Sequence, residues 1–449
     1  MSTKYDKIKD TSYCFYAMHG FSITAHGTSR LCCVSEGETS TFYKGSNDRI
    51  ELINVLDNKN RGVPTENLED FINDSKLMNI RKQMLQGERP SECYRCWNLE
   101  DQGIQSFRQI NNHHYNESID KNIIDVDKNG YLNKNSVKYL DITLGNICNL
   151  KCRSCNPWNS HRWIDEGPYV PHHGWEKSAY DRAKIGSEAP WFEEAFKQGF
   201  FDSVLPRVEV INFLGGEPLV VEEHYAWLER IIQKGFAENI TLQYNTNVTT
   251  LPDKILKIWK NFKGINIGLS IDAVGDLAFY VRHPSKWKVI EKNIKKLAEF
   301  SKEHKTIYVQ THVTLSALNI HDLPNILDWC KNNYNTWHYS WDWGTYGYQN
   351  CVPLFNMVEN PNFLHIKHLP DEEKNLLNQM LDDQYDKFSQ LNLDEWEYVA
   401  VKNILGIKNT LNQQRDDKLW QNLLDNTLAS DKFRKIDVKD YIPWIGKYF

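Results

Sequence analysis

Three cysteines within eight residues, Cys148, Cys152 and Cys155, constrain this chain more than any other feature. They follow an alternating apolar run (Leu140, Ile142, Leu144) that reads as a strand, so the C-x3-C-x2-C spacing puts three thiols on the loop leaving it. Thiolates are soft ligands, and a close group of them selects zinc or an iron–sulfur cluster. Three ligands are one short of a closed tetrahedral set. A metal group held this way keeps one position open to something other than protein.

The rest of the composition fixes the setting for that site. At 449 residues the chain suits two or three domains at about 150 residues each. Its 41% apolar and 12% aromatic content is ample for a core, and a net charge of −6 gives no nucleic-acid footprint. No run of roughly 18 apolar residues exists, so no membrane-spanning helix is expected. The opening Met1-Ser-Thr-Lys-Tyr-Asp-Lys7 lacks the apolar stretch of a signal peptide. A cytoplasmic protein is expected. Eight of the ten cysteines fall in the first 155 residues, as Cys14, Cys32/Cys33, Cys93/Cys96 and the triplet. In a reducing cytosol such short spacings read as metal or cluster ligands rather than disulfides.

The chain divides into three parts. Residues 1–135 form a small cysteine-rich α+β module: a β-like opening at Phe21–Gly27, a turn before Leu31-Cys-Cys33, a helix near Leu68–Leu85, and Pro90-Ser-Glu-Cys-Tyr-Arg-Cys96, with 111–135 read as a linker or hairpin. Residues 136–350 alternate short apolar runs with helical patterns. The strand candidates are Val137–Leu144, Val208–Leu214, Ile240–Tyr244, Ile265–Ile271, Ile307–Leu315 and Trp337–Trp343, and the helical ones include Glu222–Lys234 and Trp287–Ser301. Such alternation implies a parallel α/β sheet with right-handed crossovers, here a partial (β/α)6 barrel. Residues 351–449 read as a helical extension, Asp371–Leu391, Leu393–Leu405 and Thr410–Leu428, with Trp396, Trp420 and Trp444 packing it down.

The run Cys148-Asn-Leu-Lys-Cys-Arg-Ser-Cys155 after a first strand resembles the cluster loop of radical S-adenosylmethionine (SAM) enzymes. In that superfamily three thiolates hold a 4Fe–4S cluster whose open iron is chelated by SAM, and one electron then breaks a C–S bond to give a 5′-deoxyadenosyl radical. Further matches follow in order. Asn212-Phe-Leu-Gly-Gly-Glu-Pro218 is similar to the GGEP motif, which implies that Gly215, Gly216 and Glu217 receive the SAM ammonium. Gly268-Leu-Ser-Ile-Asp272 resembles the fourth-strand motif, which implies polar contacts from Ser270 and Asp272; two residues apart on a strand, they share a face. Arg282, in Tyr280-Val-Arg-His-Pro-Ser-Lys-Trp287, stands where relatives grip the SAM carboxylate. Tyr244-Asn-Thr-Asn247 and Val313-Thr-Leu-Ser-Ala-Leu-Asn319 resemble the substrate rim and adenine-side contacts. Each motif alone has a plain reading: a zinc site, a turn, a strand end, a surface ion pair.

Cys14, one of Cys32 and Cys33, Cys93 and Cys96 make a four-thiolate set resembling the auxiliary-cluster modules called twitch or SPASM domains, placed here before the barrel as in the twitch domain-containing radical SAM proteins. Neighbouring strand residues point oppositely, so only one of the pair is expected as a ligand, and Cys33 is favoured. A second iron–sulfur cluster and a structural zinc both fit. Cys330 reads as a buried small hydrophobe. Cys351 reads as a loop residue or a hydrogen donor, His172-His173 as a solvated or metal-binding pair, and the rings of Trp337–Tyr348 as packing or a substrate wall.

The resemblance implies an enzyme that cleaves SAM reductively and abstracts hydrogen from a substrate, with peptides or proteins the first expectation and sugars or nucleotides the alternative. It implies a flavodoxin- or ferredoxin-type electron donor, and neither a membrane nor a nucleic acid partner. A zinc-stabilised binding protein without turnover is the reading from another class.

Overall fold

The computed structural model describes residues 11–25, 27–35, 41–42, 64–65, 67–101, 106–114, 126–171, 180–181, 183–184, 191–304, 306–333, 353–389 and 395–449. The period-two apolar runs become the strands of one eight-stranded sheet: β1 (Gly20–Ile23), β2 (Ser29–Arg30), β3 (Tyr139–Leu144), β4 (Val210–Gly215), β5 (Thr241–Thr246), β6 (Gly264–Ser270), β7 (Ile307–Leu315) and β8 (Leu354–Met357). Their spatial order is β8-β7-β6-β5-β4-β3-β1-β2, and every neighbouring pair is parallel except β1 with β2.

One face of this sheet is apolar and covered. Ile142, Phe213, Tyr244, Ile267 and Val309 pack there against helical residues such as Trp227, Leu228, Ile231 and Ile255. The helix Glu223–Gln233 buries His224, Trp227, Leu228 and Ile231, the spacing of a single helical stripe. β7 alternates buried and half-buried residues along its whole length, as a strand must when its two faces differ.

Two expected boundaries move. The sheet does not stop at residue 135: Gly20–Ile23 pairs with Tyr139–Ile142, because the edge of β3 offers unpaired backbone groups and Phe21 and Ile23 extend the core beside it. At the other end, Leu354–Met357 pairs with His312–Leu315, so the segment expected to be wholly helical supplies a strand. The sixth strand expected at Trp337–Trp343 lies outside the described residues, as do Cys351, His172-His173 and the ring-rich run to Tyr348. The helix expected over Leu68–Leu85 divides into Leu68–Ile72 and Ser75–Leu85, since Asp74 accepts from the Lys76 amide at 2.9 Å and caps a new start. The stretch read as linker contributes the end of a helix, Phe107–His114, and a bridge between Val126 and Leu132.

The helices Asp371–Ser389, Glu395–Leu411 and Asp417–Arg434 form a second core with the ends of the later strands: Leu377, Leu381, Ile404, Ile407 and Leu423 meet Val313 and Leu315. Trp420 and Trp444 join this core, while the Trp396 side chain lies outside the described set. Cys330 is fully buried in the helix Leu323–Asn333. Among the described residues no helix is long and apolar enough to cross a membrane.

Candidate functional site

The cysteine triplet leaves the carboxyl end of β3 and folds against three following strand ends. Cys148 and Cys152 are buried, Cys155 half-buried, and the three pack as one group. Their loop is held by backbone bonds: the Lys151 amide donates to the His283 carbonyl at 2.7 Å, the Arg153 amide to Val281 at 2.8 Å, and the Cys155 amide to Cys152 at 3.0 Å. Trp163 is buried beneath it and donates to the Cys152 carbonyl at 3.1 Å. Burial pushes the Cys155 thiol up to about 12, and Cys152 beside it adds to the rise. Burial also raises Cys152, and the guanidinium of Arg282 offsets part of that rise.

Gly215 and Gly216 stand where the end of β4 meets the cluster loop. Gly215 has φ +134°, and a Cβ on Gly216 would stand 2.2 Å from the Ile147 carbonyl oxygen, so the two glycines let the end of β4 lie against the cluster loop itself. The Glu217 amide completes that contact, donating to Ile147 at 2.9 Å. Glu217 is buried and already well supplied with donors: Leu219 N (3.1 Å) and Thr246 Oγ1 (2.7 Å) reach Oε1, and Asn247 N (2.6 Å) reaches Oε2. A carboxylate takes about four hydrogen bonds, so one acceptor position on Oε2 remains. Burial raises its pKa, and these donors offset part of the rise.

Ser270 ends β6, half-buried, but Asp272 lies beyond the strand, so the period-two argument for a shared face does not reach it. Asp272 is paired instead: Oδ2 accepts from Arg282 Nη1 at 2.7 Å and Oδ1 from the Thr314 amide at 2.8 Å, while Asn319 donates to its carbonyl at 2.8 Å. Two residues expected to act separately are therefore one unit. Burial by itself would lower the Arg282 pKa, but the negative charge of Cys152 and Asp272 outweighs it and holds the guanidinium above its ordinary value. Its Nε is buried without a partner among the described residues. The stretches expected to be adenine-side and rim contacts act here as supports. Thr314 and Asn319 fix Asp272, and Asn247 Nδ2 donates to Asn149 in the cluster loop at 3.0 Å.

The sheet face turned away from the helices is polar. One register row runs Ser22, Asp141, Asn212, Gln243, Asn266, Tyr308 across six strands. Nearer the carboxyl ends come Asn245, Gly268 and Gln310, then Ser270 and His312. The first row continues from Ser22 into β2 at Arg30, the one cation on these rows. Asn212 donates to Asp141 at 3.0 Å, and Asn266 Oδ1 is buried without a partner. Burial drives His312 down to about 4, leaving a neutral imidazole.

Four of the N-terminal thiols gather in one place, and Cys33 is not among them. Cys14, Cys32, Cys93 and Cys96 line one small cavity beside Phe107 and Arg108. Cys33 does not line it; its thiol lies by Asp141 on the polar row, and burial, with the negative charge of Asp141 adding to it, raises its pKa. The ligand candidate of the pair is thus Cys32, because the turn after β2 sends the two side chains apart. Cys93 and Cys96 share a helical face by their i, i+3 spacing. Burial lifts Cys14 to about 12 and Cys32 to about 11. Arg108 is fixed by Glu100, with Nε to Oε1 at 2.9 Å and Nη2 to Oε2 at 2.7 Å. Among the described residues no three Cys, His, Asp or Glu side chains close around a single ion. The fit of either thiol group to a metal therefore lies in its dry, clustered sulfurs and the charges around them.

Sequence reasoning missed Glu166, Asp431 and Arg434, which brace the cluster loop from behind. The last two lie nearly 280 positions along the chain from Cys152 and carry no local motif.

Residues 142–330 match the sequence model of the Radical SAM superfamily, so the chain carries a Radical SAM domain there. Among curated proteins no significant match is found. Solved structures similar to parts of the chain include SuiB of Streptococcus suis bound to S-adenosylmethionine (14% identity over 54% of this chain and 43% of that one, TM-score 0.30). Another is anSMEcpe with bound AdoMet and the Cp18Cys peptide (16%, 55% and 58%, TM-score 0.33). A third is the radical SAM methyltransferase TsrM of Kitasatospora setae with cobalamin and a 4Fe–4S cluster bound (10%, 40% and 28%, TM-score 0.24). The chain spans 43% of SuiB and 58% of anSMEcpe, well short of either whole protein.

Proposed function

We propose that this protein is a radical SAM enzyme acting on a peptide or protein. The observation that carries the reading is the meeting of Cys148, Cys152 and Cys155, after β3, with Glu217 after β4, Asp272 after β6 and Arg282 at the end of the following helix, on the side of the parallel strands where a barrel gathers its ligands. A 4Fe–4S cluster on the three thiolates, with SAM at its open iron, supplies one-electron cleavage of the sulfonium and a 5′-deoxyadenosyl radical. The chain's own residues bind and orient. Arg282, steadied by Asp272, has an Nε without a partner among the described residues for a carboxylate, Glu217 has one open acceptor position for an ammonium, and Ser270 offers a hydroxyl at the end of β6. Trp163 closes the loop from below.

The substrate reading draws on the polar row. Asn212, Gln243, Asn245, Asn266 and Gln310 are amides, each both donor and acceptor, as is the peptide group they would meet. A nucleotide or sugar phosphate calls for several cations, and these rows hold one, Arg30 at the β2 edge, which faces the carboxyl of Asp141. Cys14, Cys32, Cys93 and Cys96 would hold a second iron–sulfur cluster, with zinc as the other group four thiolates accept. A flavodoxin or ferredoxin is the donor proposed.

Anaerobic reconstitution tests the reading. Iron and sulfide should bind, and dithionite with SAM should yield 5′-deoxyadenosine, which Cys152→Ala should abolish. Protein that takes up only zinc, or that never cleaves SAM, would refute it.

A further inference from the structure

The helix Asp417–Arg434 reaches the back of the loop that carries the cysteine triplet. Arg434 and Glu166 are fully buried as an ion pair, with Nε 2.8 Å from Oε1. Glu166 also takes Lys151 Nζ at 2.8 Å and Ser430 Oγ at 2.8 Å. Arg434 Nη2 donates to the Lys151 carbonyl at 2.9 Å, one residue before Cys152, and the guanidinium lies 5.2 Å over the ring of Trp163, the side chain bonded to the Cys152 carbonyl. Its Nη1 is buried with no partner among the described residues. One turn earlier on the helix, Asp431 pairs with Arg153 and accepts from Tyr280 at 3.1 Å.

The charges behind Cys152 do not cancel. Arg153 and Asp431 neutralise each other, whereas Arg434 and Lys151 share the single anion Glu166. One net positive charge is left in a dry setting, where its field reaches further than it would in water. A buried pair of this kind gains little stability over apolar packing, so its retention beside three thiols calls for another account.

We propose that Arg434 is a positioning residue whose buried charge, acting across Cys152, favours the reduced state of the cluster held by Cys148, Cys152 and Cys155. The inference rests on the radical SAM reading above. A cluster that accepts one electron from a reductant gains one negative charge, and a fixed cation nearby stabilises that state over the oxidised one. Glu166 acts in the opposite sense.

The test is a redox titration of the full-length reconstituted protein, with dithionite as reductant and the reduced cluster followed by paramagnetic resonance. At a fixed potential, Arg434→Gln should lower the ratio of reduced to oxidised cluster roughly tenfold, equivalent to about 59 mV for one electron. Glu166→Gln should raise it by a similar factor. The double variant removes one charge of each sign and should return near the parent value, as should Arg434→Lys, which keeps the charge. A helix that merely braces the loop would lower the iron content of these variants and leave the potential of the remaining cluster unmoved, which overturns the inference. If Arg434→Gln holds no cluster, Glu166→Gln decides alone, and an unshifted potential there overturns it equally. A parent chain that binds no cluster at the triplet removes the radical SAM reading and this inference with it, whereas a loaded chain with unshifted variants removes the inference only.

Discussion

Cys32 and Cys33 are adjacent in the chain and serve different neighbourhoods: Cys32 lines the cavity of the N-terminal thiols, and Cys33 lies by Asp141 on the polar face of the sheet. Replacing each in turn separates them. Cys32→Ala should remove the metal of the N-terminal site, seen as a loss of iron or zinc per chain, while Cys33→Ala should leave the metal content unchanged. The reverse pattern would restore Cys33 as the ligand.

Asp141 titrates where few carboxyls do. Burial pushes it up to about 6 from 3.8, although Cys33, Asn212 and Ser22 pull the other way. A folded-state value above the unfolded one means that folding favours the protonated form. The contribution is therefore fully present below about pH 4 and is lost as the pH rises through 6. A gap of roughly two pH units corresponds to about 3 kcal/mol. Asp141→Asn should thus gain stability relative to the parent between pH 4 and pH 8, by up to that amount. Denaturant melts at the two pH values check it, and parallel curves would show that Asp141 ionises normally.

The approach of Gly216 to Ile147 leaves no room for a methyl group, since the atoms in the way are backbone. Gly216→Ala should cost about 1–3 kcal/mol or more by overpacking. Because the strain falls on the cluster loop, iron content should drop together with the denaturation midpoint. A stable variant with full iron would show that the loop yields freely.

Arg282 and Asp272 make a prediction about ligand rather than fold. Arg282→Lys keeps the charge and loses the planar fork, so SAM should bind roughly 10- to 100-fold more weakly. Asp272→Asn should weaken it less, by loosening the guanidinium. Equilibrium dialysis of SAM against reconstituted protein measures both. An unchanged Kd for Arg282→Lys would take that residue out of the SAM site.

Much of this was legible because it is local. The triplet, the Gly-Gly-Glu turn and the strands carry their signal in spacing and period, and β7 emerged with both ends where the pattern put them. What stayed hidden depends on contacts between distant segments. Nothing near Gly20 says that its strand will pair with Tyr139, and nothing near Arg434 says that it will pair with Glu166. Strand parity said that Cys32 and Cys33 diverge and the choice fell on Cys33, whereas the two lie in the turn after β2 and it is Cys32 that lines the cavity. The Glu217 carboxylate read as an open acceptor because its donors, Thr246 and Asn247, belong to the next strand.

The ladder between β1 and β3 has a mechanical consequence. The segment that ends in the N-terminal thiols is bonded, residue for residue, to the strand that launches the cysteine triplet, Ser22 beside Asp141 and Ile23 beside Ile142. Cys14 and Cys32, which flank that segment, cannot swing away from the triplet without breaking the β1–β3 pair, one strand in from the β2 edge of the sheet.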